Sequence, residues 1–170
     1  MDTRESEASA VDGEANRNRL SDITLDSKSL GRANANIEHE REVAIFDILD
    51  GNVFAVDGLD DGPYKLHLAV ADDRAQLTIG NAGAEALMQH AVPLTPLKRI
   101  MKDYFMVCES YYEAVRTAPP ARIQALDVNR RGLHDEGSTV LRERLAPKIT
   151  VDNDTARRLF TLLCAMHWKG

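Results

Sequence analysis

A chain of 170 residues with 44% hydrophobic and 28% charged side chains has the size and composition of one soluble globular domain. Membrane-spanning and fibrous classes are excluded: the longest apolar run near the end, Leu159 to Met166, is interrupted by Thr161 and falls well short of the ~20 residues a bilayer requires. Charge is uneven, with 8 Lys+Arg against 18 Asp+Glu from Met1 to Val92 and 13 against 9 from Pro93 to Gly170, but the net value of −6 speaks against a nucleic-acid partner.

Residues 1–19 carry almost no apolar content and are expected to form a disordered N-terminal arm, leaving 20–170 as one globular domain. The arm also lacks the apolar stretch of a secretory signal, and Cys108 and Cys164 both fall in apolar helical patterns, so reduced thiols and a cytoplasmic location are expected.

"LSDITLD" reads as a short strand, closed by a turn through Ser29, Gly31 and Asn34. "NANIEHEREVAIFDILDGN" follows as a helix, capped by Asn34 or Asn36 and stopped near Gly51. Ile37, Ala44, Ile45 and Ile48 share one face, with Arg41 beside them. Val43 and Phe46 lie on another, which predicts structure on two sides.

After the break "GLDDGP", the stretches "YKLHLAV" and "AQLTIG" alternate with period two, and with "EALMQHAVPL" returning as a third strand they predict a three-stranded antiparallel meander. The similar "ITLDSKSL" and "ITVDNDTA" would, if the likeness is structural, make the Ile23 and Ile149 strands neighbours in that sheet.

"TPLKRIMKDYFMVCESYYEAVRT" is the clearest helix, with Thr95 as cap, Pro96 at its first position, and a stripe from Leu97 through Tyr104, Cys108, Tyr111 and Tyr112 to Val115. Tyr111, Tyr112 and Trp168 are expected to be packing aromatics. "NDTARRLFTLLCAMHW", capped by Asp152, is apolar nearly all round and should be the most buried helix.

Between them, Ala121 to Leu145 contains "RRGLHDEGS". At 100° per residue, Ile123, Leu126, Leu133, Gly137, Val140 and Leu141 form one stripe, and Arg131, Asp135, Ser138 and Arg142 lie opposite, with His134 on the margin. Arg130 and Arg144 fall inside the stripe. A buried guanidinium needs a partner, so either Arg130 has one or the helix breaks at Gly132 or Gly137.

Two functional readings follow. In one, Arg130, Arg131, Arg157 and Arg158 present an anion-binding helical surface on a non-catalytic binding or regulatory module, whose partner is an anionic small molecule or a protein. Salt bridges to Glu38, Glu40, Asp103 or Asp135 would occupy the same guanidiniums. In the other, His134 works with Asp135 or Glu136 as acid and base in a small enzyme. No metal-ligand spacing or phosphate-binding loop is present, so no metal or cofactor is expected. A homodimer is compatible with the sequence.

The blocks "NIEHEREVAIFDIL", "GPYKLHL", "LTPLKRIMKDYF", "CESYYEAVRTA", "RRGLHDEGS" and "DTARRLFTLLCAMHWKG" closely resemble, in this order, the bacterial uncharacterised protein family 0262 of alphaproteobacteria. The resemblance spans roughly Ile23 to Gly170 and implies no assigned activity, cofactor or catalytic residue. It also implies Asn at the position of Asp135, which weakens a mechanism that needs a carboxylate there. The fold expected is α+β: an antiparallel β-meander of three to five strands packed against about four α-helices in a single domain.

Overall fold

The structure, a computed structural model, describes residues 17–30, 35–83 and 86–167. In chain order it forms β1 (Leu20–Leu25), α1 (Ala35–Asp50), β2 (Phe54–Val56), β3 (Tyr64–Ala71), β4 (Arg74–Gly80), β5 (Ala86–Pro93), α2 (Thr95–Thr117), α3 (Pro120–Leu145), β6 (Ile149–Val151) and α4 (Asn153–His167), with a 3-10 turn at Ser27–Ser29. The result is a single α+β domain, as the sequence pattern implies.

The meander β3-β4-β5 is antiparallel throughout, and the alternation of β3 and β4 is the one read from the sequence. Tyr64, Leu66 and Leu68 on β3 and Ala75, Leu77 and Ile79 on β4 are buried, while Lys65 and His67 face out. Asp72 and Asp73 make the two-residue hairpin turn at φ +52° and +62°, a left-handed conformation that aspartate tolerates better than most residues and that matches the twist of the strands.

β1 adds to the meander beside β3 and parallel to it, pairing Leu20 with Tyr64 and Leu25 with Leu68. A parallel neighbour needs a crossover, and α1 lies on that connection. β6 does not join β1: it pairs antiparallel with β2, Phe54 opposite Val151 and Val56 opposite Ile149. The likeness of the Ile23 and Ile149 segments therefore reflects only a shared strand-to-helix transition. β2 escapes the sequence reading because three residues are too few to show a period.

Asn18 and Arg19 are already held in the fold, their carbonyls accepting from the Phe54 and Tyr64 amides at 2.8 Å each. Residues 1–16 of the expected arm lie outside the described residues, as do Gly31, Asn34 and Trp168. Asn36 stands inside α1 rather than at its cap. Thr95 is likewise the first helical residue of α2, and Leu94 occupies the cap position without a side-chain bond. Asp152 does cap α4: its Oδ1 accepts the Thr155 amide at 2.9 Å.

α4 is the central helix, with Thr155, Ala156, Leu159, Phe160 and the run Leu162 to Met166 buried. Neighbours in the helical layer are α2 with α3, α3 with α4, and α4 with α1, and Tyr104 of α2 reaches Phe160 of α4 at 6.0 Å between ring centroids. Arg41 on α1 is 5% exposed, and its Nε and Nη2 both donate to the Ala165 carbonyl at 3.1 and 3.0 Å. It thus ties α1 to a backbone carbonyl near the end of α4.

α3 is continuous through Gly132 and Gly137. Its buried residues are Gly137, Ser138, Leu141 and Leu145, so the face is rotated by roughly 50° from the expected stripe, toward Ser138. The cause is Gly137: an added Cβ would sit 2.3 Å from two ring atoms of Phe160, so the missing side chain is what lets α4 approach. Ser138 is drawn inside rather than left on the polar face, its Oγ donating to the His134 carbonyl at 2.7 Å. Arg144 swings out to solvent instead of lying in the stripe.

Candidate functional site

Arg130 remains in place on a half-buried arc and has two partners. Its Nη2 binds Asp127 Oδ1 at 2.5 Å, one turn earlier on α3, and its guanidinium lies 4.4 Å from the Tyr111 ring centroid on α2. Burial works against the cation, but the hydrogen bond and charge of Asp127 outweigh it and hold the pKa above the ordinary guanidinium value.

The other three guanidiniums are also engaged. Arg131 shares Asp127 at 2.8 Å, Arg157 reaches Asp135 across the α3–α4 interface at 3.3 Å, and Arg158 Nη1 donates to the Gly51 carbonyl at 2.7 Å. Of the acidic partners the sequence offered, Asp135 is the one used. Asp127, three and four residues before Arg130 and Arg131, pairs with both within α3, a spacing visible in the sequence itself.

His134 sits between two aromatic rings, 5.4 Å from Tyr104 and 5.3 Å from Phe160 by centroids. Its Nε2 is 2.7 Å from Thr161 Oγ1, and that hydroxyl donates onward to the Arg157 carbonyl at 3.1 Å. The network assigns the ring proton to Nε2, leaving Nδ1 buried without a partner. Burial first, then the charge of Arg157, lower its pKa, with Asp135 opposing.

Neither carboxylate considered with His134 faces it for acid–base work. Asp135 is turned to Arg157, and Glu136 to Arg99 on α2 at 4.0 Å. Both are in interhelical ion pairs, and the two histidine nitrogens are used or enclosed, so the geometry a proton-transfer pair requires is not formed by these residues.

A wide, partly apolar cleft lies elsewhere. α1 and α2 form the walls of a cleft of about 560 Å³ whose floor is α4. α1 contributes a stripe from Ile37 through Glu40, Val43 and Ala44 to Asp47; α2 contributes Tyr104, Cys108 and Tyr112 with Glu109 at the rim; α4 contributes Arg158, Thr161, Cys164 and Ala165. Val43 is 43% exposed and Tyr112 56%, so the expected second packing side of α1 and the outer end of the α2 stripe face open space instead of core.

The polar groups of the cleft are uncharged or acidic except Arg158 and His39. Burial pushes the Tyr104 phenol up, and it hydrogen-bonds the Cys108 thiol. Burial likewise raises both cysteine thiols, Cys164 most, so they sit in the cleft as neutral, weakly polar groups. Crowding by the wall raises the Glu40 carboxyl, with the adjacent His39 opposing. Among the described residues no three metal-ligating side chains cluster, and no helix is long and apolar enough to cross a membrane.

Of the candidate binding residues in the sequence, Arg158 alone lines this cleft, because its lining comes from three segments far apart in the chain. The available signal was Val43 with Phe46, apolar positions of α1 turned away from its buried face.

The profile of an uncharacterised protein family, UPF0262, matches residues 17–169. Similar proteins of that family include one from Azorhizobium caulinodans, 55% identical over 90% of this chain and 96% of the relative. One from Xanthobacter autotrophicus is 52% identical over 89% and 93%, and one from Rhodopseudomonas palustris strain BisB18 is 51% identical over 91% and 94%. No solved structure matches the chain. With nearly the whole chain matched by the family profile and by relatives of half-identical sequence, the protein belongs to the UPF0262 family.

Proposed function

We propose that the chain is a cytoplasmic, non-catalytic binding module and that its site is the cleft between α1 and α2. One observation carries this reading: a preformed concavity of about 560 Å³, within the usual range of ligand sites, is walled by apolar side chains and fringed by a few polar ones. Exposed apolar surface of this kind costs solubility unless something covers it.

The test uses Nile red, a neutral dye that brightens and shifts blue in apolar sites. The expected result is a saturable blue shift with the natural chain that is lost in Val43→Ser/Tyr112→Ser, whose substitutions are at exposed positions and leave the fold intact. No shift, or a shift the double variant retains, would contradict the cleft as the site.

A second reading keeps the arginines as an anion site. It is favoured by the 70% and 46% exposure of the Arg131 and Arg157 side chains, which leaves guanidinium donors open to solvent beside their carboxylate partners. Melting curves with phosphate, nucleotides and acidic metabolites test it: a stabilisation removed by Arg131→Ala/Arg157→Ala supports it, and no shift with any of them counts against it.

A further inference from the structure

We infer that the cleft is the docking groove for a basic amphipathic helix of a partner protein, which would lie between α1 and α2 as a fifth helix of the layer. This rests on the reading of the cleft as the binding site and goes on to name the partner's chemistry. Shape supplies the first argument. Each wall is a helical stripe repeating at three and four residues, Ile37–Glu40–Ala44–Asp47 on α1, Tyr104–Cys108–Tyr112 on α2 and Arg158–Thr161–Ala165 on α4.

From Ile37 to Asp47 the α1 wall runs about 15 Å, the rise of roughly three helical turns. Such stripes complement the ridges of another helix, and helix-in-groove recognition reads anchors at these same spacings. Val43 and Tyr112, 43% and 56% exposed on facing walls, are both covered by a rod laid along the trough.

Charge supplies the second argument. Glu40 and Asp47 on one wall and Glu109 on the other line the trough, against the imidazole of His39 and one guanidinium, Arg158, which donates to the Gly51 carbonyl. α1 adds Glu38, Glu42 and Asp50, all exposed, while its sole arginine, Arg41, is buried and bonded to Ala165. An acidic rim around an apolar floor selects a helix with apolar anchors and lysine or arginine flanks. It disfavours a second copy's acidic α1 face at the same place.

The experiment titrates the full chain by calorimetry with three 18-residue probes: a Leu/Lys peptide with leucines at helical spacing, its Leu/Glu counterpart, and a Leu/Lys peptide of identical composition with the spacing scrambled. The patterned Leu/Lys peptide is expected to bind at least tenfold more tightly than either other probe. The gap over Leu/Glu should narrow as salt is raised and invert in Glu40→Lys/Glu109→Lys.

Equal binding of the patterned and scrambled cationic peptides would overturn the proposal, since only general attraction to an acidic chain would remain. So would binding unchanged in Val43→Ser/Tyr112→Ser, no binding at all, or sedimentation showing a dimer that the same double variant dissolves, which would make a second copy the occupant. Nile red binding with no peptide preference would sink this inference while leaving the cleft as a site.

Discussion

Gly137→Ala adds one methyl group where the structure has no room for it. The new Cβ would lie 2.3 Å from Cε2 and Cζ of Phe160 and 2.9 Å from its Cδ2. Phe160 is fully buried and fixed by edge contacts with Tyr104 and His134, so the ring has nowhere to turn. Overpacking of this kind costs about 1–3 kcal/mol, and the fixed ring argues for the upper end; the better helix propensity of alanine returns about 1 kcal/mol. The expected net loss is about 2 kcal/mol, or roughly 4–8 °C of melting temperature for a chain of this size. Gly132→Ala is the internal control, because its Cβ meets nothing within 4 Å and the helix is continuous there. It should gain about 1 kcal/mol. Thermal and urea unfolding of the two variants side by side measure the difference. A Gly137→Ala protein as stable as Gly132→Ala would refute the close α3–α4 approach on which the rotated buried face of α3 depends.

Three further outcomes follow from particular contacts. Arg41→Met keeps most of the side-chain volume but strips the Ala165 carbonyl of both its donors, and should cost about 1–3 kcal/mol in urea unfolding. His134 is held below the ordinary histidine pKa of about 6.5, so the unfolded chain takes up this proton before the folded one does. Its contribution is therefore complete above pH ~6.5 and lost as pH falls through the lower folded value, with a slope of at most about 1.4 kcal/mol per pH unit. His134→Gln should flatten that part of the stability–pH curve; an unchanged slope would place the titration elsewhere. Arg130→Leu should leave Asp127 to Arg131 alone and remove the cation from the Tyr111 ring, costing about 1–2 kcal/mol by double-mutant comparison with Tyr111→Leu.

The parts of the fold that were legible are those whose signal is local. The alternation of Leu66, Leu68, Leu77 and Ile79, the Asp152 cap and the near-uniform burial of α4 follow from period and cap chemistry over a few residues. The face of α3 was misplaced because it packs on α2 and α4 together, and a glycine at the point of closest approach shifted the contact toward Ser138. Arg130 was correctly singled out as anomalous, yet its answer, Asp127 below and Tyr111 above, needed one partner from another helix. His134, Asp135 and Glu136 are adjacent chemical groups, but a helix points neighbours about 100° apart, and their partners are Thr161, Arg157 and Arg99 rather than one another. The cleft was illegible for the opposite reason. Its residues are unremarkable one by one and become a site only when the fold brings α1, α2 and α4 around one cleft.

The central claim is that this cleft is where the protein binds its partner. Backbone amide chemical shifts of the full chain, recorded with and without the patterned Leu/Lys helix, test it most directly. The account predicts that the changes concentrate at residues 37–47, 104–112 and 158–165, the three cleft walls. Changes centred on Arg131 and Arg157 instead, with the walls unmoved, would contradict it.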